Sequence, residues 1–194
     1  MSHTHPPTGL AHRNLTALRI VTAMRVVSGE LGGRRIVAPE GTSTRPTTDR
    51  VREAIFNALG SRGIVEDALV ADLFAGSGGL GIEALSRGAE HCTFVERDRA
   101  ALAALRENLA TLDLDDRSRV VAGNAQTSAA HLDVDLVLAD PPYDFDAWPE
   151  LLSVVRADTV VAESGQPLMD IAGWDAWRSK RYGRTWVTFL ERDR

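Results

Sequence analysis

The sequence predicts an α/β fold: a mostly parallel, doubly wound sheet closed by an antiparallel strand pair at the C-terminal end and preceded by a small N-terminal β-hairpin. Three observations predict it. From residue 68 onward, short apolar runs alternate with stretches of helical periodicity, the pattern of strand–helix units that build parallel sheets. Gly76-Ser-Gly-Gly-Leu-Gly81 falls between the first such strand and its helix. The last two runs, 178–182 and 185–190, flank Gly183 as the strands of a hairpin do.

Residues 1–23 carry Pro6-Pro7, three histidines (His3, His5, His12) and no compact apolar stretch of signal-peptide type, so they are expected to be a disordered extension. Those histidines lack a partner cluster, and no metal site is expected. Residues 24–47 are expected to form an appendage. Met24-Arg-Val-Val-Ser28 and Arg34-Arg-Ile-Val-Ala38 surround Gly29, Gly32 and Gly33 as a hairpin, and a loop follows to residue 47. Two strands alone are marginal in water, so the hairpin must lean on something.

The main domain is expected over 48–194. Val51, Ile55 and Leu59 line one face of a helix that begins at Thr48 and stops at Gly60. Strand 68–74 leads through the glycines into a helix that runs to about Arg87 and ends at Gly88. Strand 91–96 follows, and Asp98 caps a helix whose Leu102, Leu105, Leu109 and Leu112 share a face. Further strands are expected at 118–121, 134–139 and 159–163, with a helix near 147–156 before the last of them.

With 194 residues, 44% of them hydrophobic and 25% charged, the chain can bury one good core. No run approaches the roughly 20 apolar residues that span a bilayer. A soluble, cytoplasmic protein without a membrane partner, acting as a monomer, is the expectation. Cys92, the only cysteine, excludes a disulfide framework and reads as a buried thiol. The net charge of −5 is unevenly placed. Residues 1–62 hold nine arginines against four acids, a balance of +5; the remaining 13 basic and 23 acidic residues balance at −10. A basic N-terminal part on an acidic body points to an acidic partner.

Asp140-Pro-Pro-Tyr143 is the most informative motif. Two prolines cannot donate backbone hydrogen bonds and hold φ, so they end the strand and present an acid and a ring together at its carboxyl end. Open α/β sheets bind ligands there. The bland alternative is a rigid loop with a buried tyrosine. Gly76 to Gly81 alone could equally be a turn made for packing, but Glu96 stands 20 residues after Gly76 at the end of the next strand, where a carboxylate can accept from both ribose hydroxyls. Asp72, just before the glycines, discriminates between cofactors. A pyrophosphate has little use for a nearby buried carboxylate, whereas a ligand with an ammonium and a sulfonium is favoured by one. S-adenosylmethionine (SAM) therefore fits better than NAD.

Asp72-Leu-Phe-Ala-Gly-Ser-Gly78, Glu96 and Asp140-Pro-Pro-Tyr143, in this order, resemble the motifs of class I SAM-dependent methyltransferases that modify exocyclic amino groups of bases. The flanks narrow this. Met24-Arg-Val-Val-Ser-Gly29, Gly33-Arg-Arg35, the segment from Arg45-Pro-Thr to Leu59 and Arg181-Tyr-Gly-Arg-Thr185 look like the RsmD family, 16S rRNA guanine-N2 methyltransferases of Rossmann-like fold. The resemblance runs from Met24 to nearly the end of the chain.

It implies SAM as cofactor, S-adenosylhomocysteine as product, and 16S rRNA or the assembling small ribosomal subunit as partner, with guanine 966 as the expected target. Asp72, Phe74, Ala75, Gly76, Ser77 and Gly78 would hold the methionine part of the cofactor, Glu96 and Arg97 the ribose side, and Asn124 and Ala125 the adenine. Asp140, Pro141, Pro142 and Tyr143 would form the catalytic loop, with Asp140 also facing the cofactor. Asn124 stands where many relatives of the wider class have Asp, and reads equally as a turn residue. Arg25, Arg34, Arg35, Arg45 and Arg50 would contact RNA phosphates. Arg178, Lys180, Arg181 and Arg184, set among Trp174, Trp177, Tyr182 and Trp186, are further candidates. Three rival readings stay open: adenine-N6 methylation of DNA or tRNA, an NAD-dependent dehydrogenase, and an inert RNA-binding module.

Overall fold

A computed structural model describes residues 24–38 and 48–193 of the 194; the 1–23 extension and Arg45 lie outside the described residues. The elements in chain order are β1 (Met24–Arg25), β2 (Arg35–Ile36), α1 (Asp49–Gly60), β3 (Leu69–Leu73), α2 (Gly79–Ser86), β4 (His91–Glu96), α3 (Arg99–Thr111), β5 (Ser118–Ala122), α4 (Ala125–Ala129), β6 (Leu136–Ala139), α5 (Trp148–Val154), β7 (Thr159–Ser164), β8 (Trp174–Tyr182) and β9 (Thr185–Arg192). β3 to β9 form a seven-stranded sheet in the order β5-β4-β3-β6-β7-β9-β8, parallel except for the pairings β7–β9 and β8–β9. The chain winds outward from β3 in one direction and from β6 in the other. The switch point therefore lies between β3 and β6.

Each face of the sheet is covered. α1, α2, α3 and the hairpin share one apolar cluster that includes Val70, Phe94, Leu138, Val161 and Phe189. α4 and α5 pack on the other face against Ala71, Val95, Val137, Ala139 and Ala162. The helix starts follow local chemistry: the Thr48 hydroxyl accepts from the Val51 amide and the Asp98 carboxylate from the Ala101 amide, each satisfying a donor that the first turn leaves open. Gly81 permits α2 to lie on β4, because a Cβ there would stand 2.3 Å from Cε1 of Phe94. Among the described residues no helix is long and apolar enough to cross a membrane.

The hairpin differs from the expectation in an informative way. β1 and β2 are two residues each, not five. Val26 still exchanges hydrogen bonds across the hairpin with Arg34 and Gly33, but the residues beyond it donate to the main domain. The buried carboxylate of Glu83 on α2 accepts from the amides of Val27 (2.7 Å) and Ser28 (3.1 Å), and Asn108 on α3 both accepts from the Val37 amide and donates to its carbonyl. Glu30 donates its amide to the carbonyl of Ser86 at 2.8 Å, and Gly29, with φ of +83°, lies so close to Ser86 that a Cβ would meet its carbonyl oxygen at 1.8 Å. What the hairpin leans on is therefore the α2–α3 surface.

Three other boundaries shift. α4 is present although five residues carry no legible period. α5 is shorter than the expected 147–156 because Val155 is already extended. β8 begins at Trp174, four residues early, since an irregularity between Ala176 and Arg178 breaks the alternation that marks a strand.

Glu83 also accepts from Nε of Arg87 at 2.7 Å, so its removal strands three partly buried donors at once. Glu83→Ala is expected to cost about 3 kcal/mol or more in urea unfolding. Amide exchange should accelerate first at Val27 and Ser28; unchanged protection there would refute this docking.

Candidate active site

Side chains alternate along a strand, so residues two beyond Phe94, Val70, Leu138 and Val161 continue on the same face of the sheet. Those residues are Glu96, Asp72, Asp140 and Glu163. Four carboxylates thus share one face near the carboxyl ends of the adjacent strands β4, β3, β6 and β7, the face that α1 to α3 cover, with Asp72 set one pleat before the others because it pairs with Phe94 and Leu138. The register sets Asp140 and Glu163 side by side, because Ala139 pairs with Ala162. The switch point falls within this group.

On one side of it is the glycine turn. Phe74 has φ of +66°, a conformation that bulky residues avoid, and it places the chain for Gly76 (+58°) and Gly78 (+92°). Glu96 holds this turn: its carboxylate accepts from the amides of Gly76 (2.8 Å), Arg97 (2.7 Å) and Asp98 (2.8 Å). A carboxylate offers about four acceptor sites, so these three bonds leave room for about one further donor, such as a ligand's hydroxyl. Asn108 reaches the turn as well, donating to the Ser77 carbonyl at 2.9 Å. The hairpin and the glycine turn are therefore tied to one amide side chain. A Cβ on Gly76 would meet nothing within 4 Å, so the turn faces open space, whereas one on Gly78 would strike Leu105 at 2.6 Å.

Asp72 is 2% exposed, and its carboxylate accepts from the Gly81 amide at 2.8 Å. Burial pushes its pKa up from 3.8 to about 8; the Gly81 hydrogen bond opposes the rise, and the charges of Asp140 and Glu96 add to it.

On the other side is a cleft of about 270 Å³, open mouth included, lined by Asp140, Pro141, Pro142, Tyr143, Glu163 and Thr185 among others. β6 ends at Ala139, directly before the Asp-Pro-Pro-Tyr loop. Tyr143 is 67% exposed, which excludes the buried-tyrosine alternative. Phe145 packs edge-on against Phe74 at 5.2 Å and against the buried Trp148 at 5.1 Å. The glycine turn and the proline loop are thereby one packed unit.

The remaining expected residues are more dispersed. Asn124 caps α4, its oxygen accepting from the Thr127 amide at 3.1 Å, and Ala125 is buried beneath it. The Arg97 side chain is exposed. Arg25, Arg34, Arg35 and Arg50 are all exposed, but two of them also support structure: Arg25 donates to the Gly33 carbonyl and Arg34 to that of Thr111.

Comparison with known proteins agrees with this fold. The family described as Conserved hypothetical protein 95, the RsmD family, matches residues 24–191. The chain belongs to the RsmD family of methyltransferases. It is 36% identical over 183 residues to "Ribosomal RNA small subunit methyltransferase D" of Escherichia coli K12, covering 88% of this chain and 90% of that one. It is 44% identical over 152 residues to "Putative rRNA methyltransferase YlbH" of Bacillus subtilis, covering 73% and 79%. The solved Escherichia coli structure named "Putative methyltransferase yhhF" superposes with a TM-score of 0.77 at 35% identity, covering 89% of this chain and 99% of that one. The α/β architecture is accordingly the Rossmann-like fold of its methyltransferase neighbours.

For this RsmD-family chain, sequence reasoning missed Glu163, Phe145, Arg52 and Asn108. Glu163 had a signal: like Glu96, it is an acid at the end of an apolar strand. Arg52, fully buried on α1, sits in a helical stripe where an arginine reads as a surface residue. It donates to Asp49 and to the carbonyl of Arg25.

Between pH 3.8 and about 8 native Asp72 holds a proton that the unfolded chain has released. Its contribution to stability is complete below that range and is lost as pH rises to about 8. Asp72→Asn cannot ionise, so its melting temperature relative to the parent is expected to climb from pH 5 to 8 and then level off. A difference independent of pH would refute the raised pKa.

Proposed function

We propose that this protein transfers a methyl group from SAM to the exocyclic N2 of a guanine in small-subunit rRNA. The observation that carries methyl transfer to an exocyclic base amine is the pairing of Asp140 with an exposed Tyr143 at the switch point, packed through Phe145 onto the Asp72–Gly78 turn, while guanine N2 rests on the resemblance of the flanking segments. The names of the relatives that cover nine-tenths of their own length supply the RNA class.

The residues fit the cofactor. Gly76 faces open space at a strand end, Glu96 has acceptor capacity for a ribose hydroxyl, and the carboxylates on this face offer a cationic ligand a negative wall. Asp72, Phe74, Ala75, Gly76, Ser77 and Gly78 would hold the methionine part, Glu96 and Arg97 the ribose, and Asn124 and Ala125 the adenine. SAM supplies a methyl carbon on a positively charged sulfur and leaves as S-adenosylhomocysteine.

The protein's own residues must overcome a poor nucleophile, because the lone pair of guanine N2 is delocalised into the ring. In this reading Asp140 and the Pro141 carbonyl accept hydrogen bonds from the amine as it turns tetrahedral, while Pro142 keeps the loop rigid. Such positioning can remove up to roughly 7–11 kcal/mol of barrier, more than one proton acceptor usually provides. Extruding a base costs a few kcal/mol, and one aromatic stack returns about 1–3. Tyr143, exposed and tethered to a rigid loop, is placed for that stack. Arg25, Arg34, Arg35 and Arg50, with Arg45 beyond the described residues, would steer RNA phosphates.

Mass analysis of nucleosides after reaction with small-subunit particles should reveal N2-methylguanosine; N6-methyladenosine would overturn the substrate assignment. Tyr143→Ala should lower methylation by about 10- to 100-fold with SAM binding nearly intact, as loss of one stack requires. Equal loss of both would sink the stacking role. Raising salt from about 50 to 200 mM should depress methylation steeply if the arginines neutralise phosphates. A flat response would remove them from the interface.

A further inference from the structure

Asp140 and Tyr143 by themselves do not distinguish guanine from adenine, since both bases carry an exocyclic amine. The cleft contains a second carboxylate. Glu163 is 6% exposed, lines the same cleft, and stands beside Asp140 in the strand register. It also lies close enough to the buried Arg52 for their charges to interact. With about four acceptor sites, a carboxylate that has a partner in the resting protein can still accept from a base.

The Watson–Crick edge of guanine presents N1–H next to the N2 amine, two adjacent donors. Adenine presents an N1 lone pair next to its N6 amine. Two neighbouring carboxylates match the first pattern and repel the second. We propose that Glu163 selects guanine by accepting its N1–H while Asp140 accepts from N2. This rests on the guanine-N2 reading above and names the residue that would decide it.

The rival role for Glu163 is structural, as a counter-charge to Arg52. 2-Aminopurine separates the two, because it keeps the methyl-accepting N2 amine and replaces N1–H by a lone pair. Small-subunit particles are reconstituted with RNA carrying guanine or 2-aminopurine at the methylated position, and each is treated with the parent protein and with Glu163→Gln. The parent should favour guanine by on the order of 10- to 100-fold in kcat/KM. The variant, whose amide can donate to N1, should shrink or reverse that ratio. An unchanged ratio, with both substrates equally slowed and the melting temperature lowered, would assign Glu163 to structure and overturn the proposal. Failure of the parent to form N2-methylguanosine on the guanine particle would instead overturn the underlying reading.

Discussion

The parity of four parallel strands is the constraint on which the candidate site depends. Because side chains alternate, an acid two residues past a core-facing apolar residue must emerge on that residue's face. β4, β3, β6 and β7 each obey this, and their acids emerge on one face on both sides of the switch point. A single-residue slip in any one strand would turn its acid to the α4–α5 face and bury an apolar residue where the ligand should lie. Register, set by packing on both faces, is therefore what assembles the site.

Crowding like charges has consequences that the fold answers individually. Glu96 receives three backbone amides. Glu163 faces the charge of Arg52. Asp72 has one amide and deep burial, and keeps its proton instead. In the proposed reading a ligand bringing a positive charge would relieve these carboxylates, and one bringing a pyrophosphate would aggravate them. The preference for SAM over NAD expected from the Asp72 carboxylate would have its cause in that burial.

Much of this was legible in the chain. The α1 stripe of Val51, Ile55 and Leu59, the Asp98 cap and the strand carrying Asp72 are local signals, and local signals survive in sequence. The short hairpin strands were not legible, because the residues that shorten them, Glu83 and Asn108, are 55 and 71 positions away. Phe74 is another case: nothing in its identity announces a positive φ, which the amide–carbonyl bond from Ala75 to Val95 and the ring contact with Phe145 together sustain. Glu163 was visible as an acid closing an apolar run, yet its meaning comes from lying beside Asp140, a pairing fixed by β6 and β7.

The hairpin matters beyond its own stability. Asn108 makes hydrogen bonds to Val37 in the hairpin and to Ser77 in the glycine turn, and Arg52 joins α1 to the backbone of Arg25. An RNA strand held by the exposed arginines of this segment would press on elements that also shape the proposed cofactor turn and, through Arg52, the field at Glu163. Separate modules joined by a linker could bind RNA and cofactor independently. Here the buried hydrogen bonds leave little room for such independence, so substitutions in the hairpin should disturb the turn as well as RNA contact.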